Sequence, residues 1–519
     1  MVESRETAET VETVVGAGDD KLDRSVWLTA GVVVLGAIMS ILDVTVVNIA
    51  LETFMRQFHI SSAVAAWTMT GYTLALAAVI PVTGWAADRF GTKRLYILAL
   101  TLFILGSVLC ATAWNIGSLI AFRVLQGLGG GMLMPLGMTI MTRAAGPHRV
   151  GRVMAVLGVP MLLGPILGPI LGGWLIQSYS WHWIFLINVP IGILALIAAV
   201  ALLPRDVGHA AERFDWIGML LLSPGLALFL FGVSSIPETH TVWSARVLIP
   251  ALIGIALIAA FVFHALRSSN PLIDLHLFRN RNITIASITM TVFAVAFFGS
   301  ALLFPLYFQQ IRGQGTLDTG LLLIPQGVGA MLTMPVAGRM VDRIGPGKIV
   351  LTGLALIILG LLVFPFVGPD TSYVRLLGGL FVMGMGMGCT MMPVMTAALA
   401  TLRDKQIARG STLMNIVNQV GSSIGSATTS VLLTHNVQAA GKAAQTATTY
   451  KFLPPEAKAA IPAQYLQQGY HDAARAFGHT FIMSVVLVAV CLIPAAFLPR
   501  TRQQEFSSAE TGEPPVVMH

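Results

Sequence analysis

Two residues of opposite charge, Asp43 and Arg123, lie deep inside long apolar stretches of the chain. No other charged residue lies as far from the ends of such a stretch. A charge at the centre of a bilayer costs about 2.5 kcal/mol or more, so an acid that is kept there is a candidate functional group. A carboxyl group in a low-dielectric environment takes up a proton more readily than one in water. The chemistry that this pair could perform is therefore proton exchange.

The depth of the two residues in their predicted helices suggests that they meet. Asp43 and Arg123 lie about seven and six residues from the outer ends of their helices, roughly 10 Å at about 1.5 Å per residue. Matched depth permits an ion pair, and the guanidinium group of Arg is well shaped for a carboxylate. Two interpretations stay open: a pair that takes part in proton transfer, or a static contact in which Asp43 is satisfied by Ser40 or by the helix of Arg123.

The elements that must position this pair are membrane helices. The chain has 519 residues, of which 55% are hydrophobic and 11% are charged, and its mean hydropathy is +0.78. Apolar runs of about 20 residues recur, which is the length that spans a bilayer as a helix. The short alternating segments of a transmembrane barrel are absent from the sequence. The composition predicts an all-α polytopic membrane protein.

A short polar segment between two apolar runs occurs twice, at positions 254 residues apart. The first copy contains Gly84, Asp88, Arg89, Gly91, Lys93 and Arg94, and the second contains Gly338, Asp342 and Arg343. Two related halves that rock against each other are typical of secondary transporters. Asp88 could cap a neighbouring helix or pair with Arg89 or Arg94, and the basic residues could equally serve only as membrane anchors.

The repeat predicts fourteen transmembrane helices, arranged as six, two inserted and six. The predicted segments are a disordered cytoplasmic tail over 1–26, a six-helix bundle over 27–204, an inserted pair with linkers over 205–283, a second bundle over 284–498 with an outer loop at 434–478, and a tail over 499–519. Most of the 31 Lys and Arg residues fall in turns and tails on one side. This distribution predicts that both termini are cytoplasmic, and it assigns the net charge of +7 to topology instead of nucleic-acid binding.

Two further patterns concern packing and the interior. A glycine-rich run in the fifth helix can allow close helix approach, with or without a role in transport direction: Gly158, Gly164, Pro165, Gly168, Pro169, Gly172 and Gly173. A polar stripe on the thirteenth helix cannot face lipid and either lines a cavity or bonds to other helices. The candidates for lining a cavity are Asn48, Gln126, Tyr307, Gln309, Gln310, Gln326, Asn415, Asn418 and Gln419.

Taken together, these motifs resemble the fourteen-helix drug:proton antiporter branch of the major facilitator superfamily. The match rests on the repeated segment, on Leu42-Asp43-Val-Thr45 in the first helix, on Arg123 to Gly129 in the fourth and on the glycine run in the fifth. The resemblance implies two six-helix bundles with a pseudo-two-fold relation around a central cavity. It also implies proton transfer by Asp43 and Arg123, a conformational role for the repeated segment, and export associated with the fifth helix.

The expected function is proton-coupled export of small amphipathic compounds across the plasma membrane by a monomer, with the lipid bilayer and protons as its other partners and no cofactor. Export of an endogenous lipid or metabolite is the alternative. Exporters of dicationic dyes in this branch can carry acids in the thirteenth helix, and this chain has none in that predicted span. An enzyme is disfavoured, because the G-x-S-x-G match at 421–425 lies within an apolar helix and lacks the turn that motif needs. A channel is disfavoured because no filter-like loop is present in the sequence.

Overall fold

The computed structural model describes residues 23–146, 149–204, 213–239, 241, 243–402, 404–450, 458–459 and 461–500, and within these the regular structure is helical. We label the long helices in chain order and give shorter ones by their residues. The long helices are α1 (Arg24–Phe58), α2 (Ser62–Phe90), α3 (Thr92–Ala111), α4 (Ile116–Ala145), α5 (Val150–Ser178), α6 (Asn188–Leu202), α7 (Trp216–Ser234), α8 (Ala245–Arg267), α9 (Arg281–Leu306), α10 (Ile324–Ile344), α11 (Pro346–Leu361), α12 (Tyr373–Gly388, continued as Met391–Leu399), α13 (Asp404–Ala439) and α14 (Ala463–Ala495).

Twelve helices in the described part are long and apolar enough to cross a membrane. The protein is therefore a multi-pass membrane protein, as the composition predicts. The predicted count of fourteen is not reached by this measure, because α5 and α13 are not among the twelve. α13 spans 36 residues, but the polar residues along it lower its hydropathy.

Chain ends and turns define two faces of the bundle. We call the face at which α1 begins the N-terminal face. The ammonium group of Lys93, at the start of α3, donates to the carbonyl of Leu203 at the end of α6 over 2.6 Å. The amide of Gly347, at the start of α11, donates to the carbonyl of Pro499 beyond α14 over 2.8 Å. The starts of these odd-numbered helices therefore lie beside the ends of even-numbered ones.

The packing divides the helices into two groups with an additional pair. Helices α1 to α6 pack on one another, as do α9 to α14, and the two groups meet where α5 packs on α10 and α2 packs on α13. The inserted helices α7 and α8 pack on each other, and α7 also contacts α2 and α13. The inserted pair thus lies beside one junction of the two groups. Most residues of α8 are exposed at the periphery of the helix bundle.

Glycine allows α4 to approach its neighbours closely. A Cβ at Gly129 would lie 2.6 Å from the amide nitrogen of Phe103 on α3, and one at Gly131 would lie 2.7 Å from the carbonyl of Leu76 on α2. Backbones at this separation leave no room for a larger side chain. The result is a tight α2–α3–α4 unit that holds Arg123 in a fixed position.

The described part of the segment predicted as an outer loop, 434–478, is largely helical. α13 continues to Ala439, a short helix covers Lys442–Thr449, and α14 begins at Ala463. The start of α14 is rich in Ala and Gln, which favour a helix without being apolar. Hydropathy identifies the membrane-crossing part of such a helix and misses its polar extension.

Candidate functional site: a buried ion pair beside a central cavity

The centre of the first helical group contains a fully buried ion pair. Asp43 on α1 and Arg123 on α4 form a salt bridge, and their side chains are 0% and 1% exposed. The amide nitrogens of Gln126 and Asn188 donate to Oδ1 of Asp43 over 2.8 and 3.1 Å. Both of these amides also reach the hydroxyl of Ser107, at 2.8 and 3.4 Å. Four helices, α1, α3, α4 and α6, thus converge on one carboxyl group.

The hydrogen bonds of Asp43 indicate its protonation state in this conformation. The three side chains that bond to it in the described part are Arg123, Gln126 and Asn188, and each offers an N–H group. An ionised carboxylate only accepts hydrogen bonds, whereas a protonated one must also donate. The arrangement of donors around it therefore fits an ionised Asp43 in this conformation.

Arg123 is held from two further sides. Its Nε donates to the carbonyl of Thr68 over 3.0 Å, and its guanidinium carbon lies 4.2 Å from the ring centroid of Tyr72. A cation over an aromatic ring is stabilised by about 0.5–2 kcal/mol, more when it is desolvated. The hydroxyl of Tyr72 is 3.2 Å from that of Ser40, and Ser40 lines the central cavity. Tyr72 and Ser40 thus connect the ion pair to the cavity.

The cavity lies between the two helical groups and has a volume of about 450 Å³. Its walls come from α1, α2 and α4 on one side and from α9, α10, α12 and α13 on the other. Pockets of a few hundred Å³ are the usual size for drug-like ligands. Four predicted candidates line it: Gln326, Asn415, Asn418 and Gln419.

The other predicted cavity residues lie elsewhere. Gln126 is buried in the ion-pair network, and Asn48 is exposed. Tyr307, Gln309 and Gln310 lie in a π-helical turn, Tyr307–Ile311, that follows α9. The hydroxyl of Tyr307 donates to the carbonyl of Gly368 over 2.8 Å. The wider turn carries these side chains beyond the part of α9 that borders the cavity, which the sequence pattern does not reveal.

The glycines of α5 contact α1 on both sides of Asp43, at Ile41 and at Thr45. Added Cβ atoms at Gly164 and Gly168 would overlap the side chains of Ile41 and Thr45, with the second atom only 2.5 Å from Cβ of Thr45. The hydroxyl of Thr45 donates to the carbonyl of Gly164 over 3.1 Å. The glycine run therefore forms the α1–α5 contact that surrounds the acid.

The remaining glycines of the run divide between neighbours. Gly172 faces Val46 on α1, with an added Cβ at 3.1 Å, whereas Gly158 faces Met334 and Met392 of the second group. An added Cβ at Gly173 would meet nothing within 4 Å. The side chains of two further candidates lie outside the described residues: Pro165 and Pro169.

Across the N-terminal face, the second copy of the repeated segment joins the two helical groups. Oδ1 of Asp342, near the end of α10, accepts from the amide of Gly151 at 2.9 Å, and Oδ2 accepts from the amide of Arg152 at 3.3 Å. The side chains of Asp342 and Arg152 also form an ion pair at 3.6 Å. A carboxylate at the start of a helix satisfies free amides and the helix dipole. Gly338 makes the contact close, since its Cβ would lie 2.8 Å from the carbonyl of Gly151.

The first copy makes the corresponding contact on α13. Asp88, near the end of α2, pairs with Arg143 on α4 at 3.4 Å and with Arg409 on α13 at 3.7 Å. Gly84 packs against Thr412, with an added Cβ at 3.0 Å from its hydroxyl. The starts of α5 and α13 are equivalent under the 254-residue offset, so the two aspartates have related positions. Both bridge the two helical groups at the N-terminal face.

The neighbours of Asp88 have other positions than the sequence suggests. Asp88 forms ion pairs with Arg143 on α4 and Arg409 on α13. The side chains of Arg89 and Arg94 are exposed, as is that of Arg343 in the second copy. Adjacent helical residues point in different directions. Lys93 turns instead to the end of α6. Gly91 joins α2 to α3 with φ +85°, which favours glycine.

Several residues of the site were missed by sequence reasoning. Tyr72 and Ser107 gave no signal, because hydroxyl side chains are common in membrane helices, where they can bond to the backbone of their own helix. Asn188 lies in a largely apolar run of the sequence. An amide inside an otherwise apolar run is itself a sign of a buried polar contact, and this could have placed Asn188 near Asp43.

A helical membrane protein with two helical groups around a central cavity, and with a buried ion pair next to that cavity, has the architecture of a secondary transporter, not of an enzyme. The chain belongs to the Major Facilitator Superfamily, whose family profile matches residues 33–426. The family predicted from the motifs is thereby confirmed.

Similar proteins and structures extend over most of the chain. It is 53% identical over 496 residues to the multidrug resistance protein B homolog of Mycobacterium tuberculosis (strain ATCC 25618 / H37Rv), covering 93% of this chain and 91% of that protein. It is 30% identical over 402 residues to the multidrug export protein EmrB of Haemophilus influenzae, covering 77% and 78%. The crystal structure of the human organic anion transporter MFSD10 shares the fold, with a TM-score of 0.58, 16% identity and coverage of 90% and 100%.

Proposed function

We propose that this chain is a proton-coupled antiporter that exports small amphipathic compounds. The single observation that carries the proposal is the buried carboxylate of Asp43, paired with Arg123 and connected through Tyr72 to the cavity wall. Proton-driven transport needs a group that is ionised in one conformation and neutral in another. Asp43 has the environment of such a group, because its charge is stabilised by three donors from two other helices, α4 and α6, that can separate from α1.

The proposed cycle uses the contacts across the N-terminal face. In the proposed cycle, the contacts of Asp88 and Asp342 between the groups would keep this face closed while Asp43 is ionised. Proton binding from the opposite side would neutralise Asp43 and weaken its hold on Arg123. The group would then return its proton after the N-terminal face opens. The compound in the cavity would move in the opposite direction.

The proposed topology has fourteen transmembrane helices. α4 ends at the N-terminal face, where Arg143 meets Asp88, and α6 also ends there, beside Lys93. Since α6 crosses toward that face, the chain must first return across the membrane, and α5 is the helix between them. The same reasoning applies to α13, which lies between α12 and α14. The polar residues of α13 are tolerated because several of them line the cavity.

The excess of Lys and Arg places the N-terminal face in the cytoplasm. Both chain termini would then be cytoplasmic, the membrane would be the plasma membrane, and the transporter would act as a monomer. The six-helix bundles and the inserted pair would follow the domain limits inferred from the repeat. The names of the two multidrug relatives support a drug as the exported compound. An endogenous lipid or metabolite is the second candidate, because the cavity contains no charged side chain among its described lining residues.

The test is substrate-dependent proton movement in proteoliposomes that contain the pH dye pyranine and carry an imposed pH gradient. A panel of neutral and monovalent amphipathic dyes, together with short-chain lipids, separates the two candidate substrate classes. Wild-type protein should move protons when an exported compound is added. Asp43→Asn should abolish this movement. Asp274→Asn is a matched control, because Asp274 caps a short helix away from the pair and Asn caps a helix as well as Asp does.

Two results would contradict the proposal. One is compound flux in the wild type without proton movement. The other is Asp43→Asn with the same proton movement as Asp274→Asn. A response to lipids alone would select the endogenous-lipid alternative while keeping the mechanism.

A further inference from the structure

The polar groups of the cavity wall indicate what kind of molecule the cavity accepts. We propose that it binds an uncharged, mainly aromatic molecule that donates one hydrogen bond to the side-chain carbonyl of Asn418 on α13. This inference rests on the proposed function, because it names the substrate class of the same cavity. It assigns Asn418 as the residue that determines specificity.

The described lining of the cavity is uncharged. None of the described residues around the cavity is acidic or basic. Asp43 and Arg123 neutralise each other outside the lining. A charge that enters a low-dielectric site without a partner carries a large desolvation cost. The cavity in this conformation therefore favours a neutral molecule over a cation or an anion.

Several polar atoms of the cavity lining already have hydrogen-bond partners within the protein. The hydroxyls of Thr45 and Ser422 donate to carbonyls at 2.9 Å each. The amide nitrogen of Asn415 donates to the carbonyl of Ser411 over 2.8 Å, and that of Gln326 lies 3.1 Å from the sulfur of Met387.

Oδ1 of Asn418 differs from these atoms. It is buried and has no hydrogen-bond partner among the described residues. A buried acceptor without a donor is costly. The cavity that it borders has room for a molecule to supply that donor.

The rest of the cavity wall includes aromatic and methionine side chains. α9 contributes the rings of Phe297, Phe298 and Phe304, and α12 contributes Met387 and Met391. Aromatic rings pack favourably on one another, and the flexible side chain of Met adapts to irregular shapes. An aromatic body with one donor group would satisfy both parts of the wall.

The test compares two probes that differ in one hydrogen-bond donor. N-phenyl-1-naphthylamine is neutral and has a single N–H, whereas its N-methyl derivative has none. Their affinities for the purified, detergent-solubilised full chain are measured from ligand-dependent protection against thermal unfolding. Wild type should bind the N–H compound about tenfold more tightly than the N-methyl compound.

Two variants separate the hydrogen bond from the shape of the site. Asn418→Leu should bring the affinity ratio close to one while retaining the affinity for the N-methyl compound, which also shows that the variant is folded. Asn418→Asp keeps an acceptor at the same place and should preserve the preference for the N–H compound.

Equal affinities in the wild type, an unchanged ratio in Asn418→Leu, or failure of both probes to bind would each overturn the inference. The measurement uses no pH gradient. If the probe-binding result contradicts the role of Asn418, the proton movement of wild type and Asp43→Asn still decides the proposed function. If the proton movement contradicts the proposed function, the probe-binding result still decides the role of Asn418.

Discussion

The contact between α1 and α5 gives a prediction whose size follows from the structure. In Gly168→Ala the added Cβ would lie 2.5 Å from Cβ of Thr45, whereas carbon atoms normally approach to about 3.5–4.0 Å. The two helices must therefore separate by about 1 Å. The β-branched side chain of Thr45 cannot easily turn away, because its hydroxyl lies within hydrogen-bond distance of the carbonyls of Leu42 and Gly164, either of which can accept its one proton.

Overpacking of this kind costs about 1–3 kcal/mol, and the higher helix propensity of Ala returns about 0.5–1 kcal/mol at most. Gly173→Ala is the matched control on the same helix, because its added Cβ meets nothing within 4 Å. We expect Gly173→Ala to be neutral or slightly stabilising. Gly168→Ala should be less stable than this control by about 1–3 kcal/mol.

The assay is thermal unfolding of both variants in the same detergent, followed by tryptophan fluorescence, together with proton movement in proteoliposomes. Gly168→Ala should unfold at the lower temperature. It should also lose part of its proton coupling, because the displaced part of α1 contains Asp43. Equal stability and equal coupling of the two variants would refute the argument that the glycine run positions the acid.

Further predictions concern the N-terminal face and the ion-pair network. Asp342→Ala should weaken the cap of α5 by about 0.5–2 kcal/mol, seen as faster hydrogen exchange at the start of α5 but not of α7; unchanged exchange would contradict the bridging role. Asp88→Ala should speed hydrogen exchange at the start of α13, because it removes the ion pair with Arg409. Tyr72→Phe removes the bond to Ser40 but keeps the ring beneath the guanidinium group, so we expect a loss of about 1 kcal/mol in thermal unfolding. Asn188→Ala should cost about 1–3 kcal/mol in thermal unfolding, and a neutral result would argue against its bond to the carboxylate.

The ion pair shows what the sequence could predict. Asp43 and Arg123 stand out because charge is rare in membrane helices, and their matched depth follows from helix geometry alone. Their further partners depend on how four helices meet in three dimensions. Tyr72 and Ser107 are ordinary residues in their own helices, so no local pattern distinguishes them.

The helical extension before the last membrane span shows what hydropathy does not reveal about an element boundary. Residues Ala463 to Gly478 are helical but polar enough to read as a loop. Tyr307 shows a similar limit, because it begins a π-helical turn that the sequence pattern does not reveal. In both cases hydropathy reports the environment of a segment and not its backbone conformation.

Proton release by the purified protein tests the central claim most directly. The compound with the largest response in the proteoliposome panel is added to wild type and to Asp43→Asn in weakly buffered detergent solution, and the change in pH is recorded. We predict that the wild type releases up to one proton per molecule as the compound binds, and that Asp43→Asn binds the compound but releases none. Equal proton release from both proteins would show that another group exchanges the proton and would contradict the account.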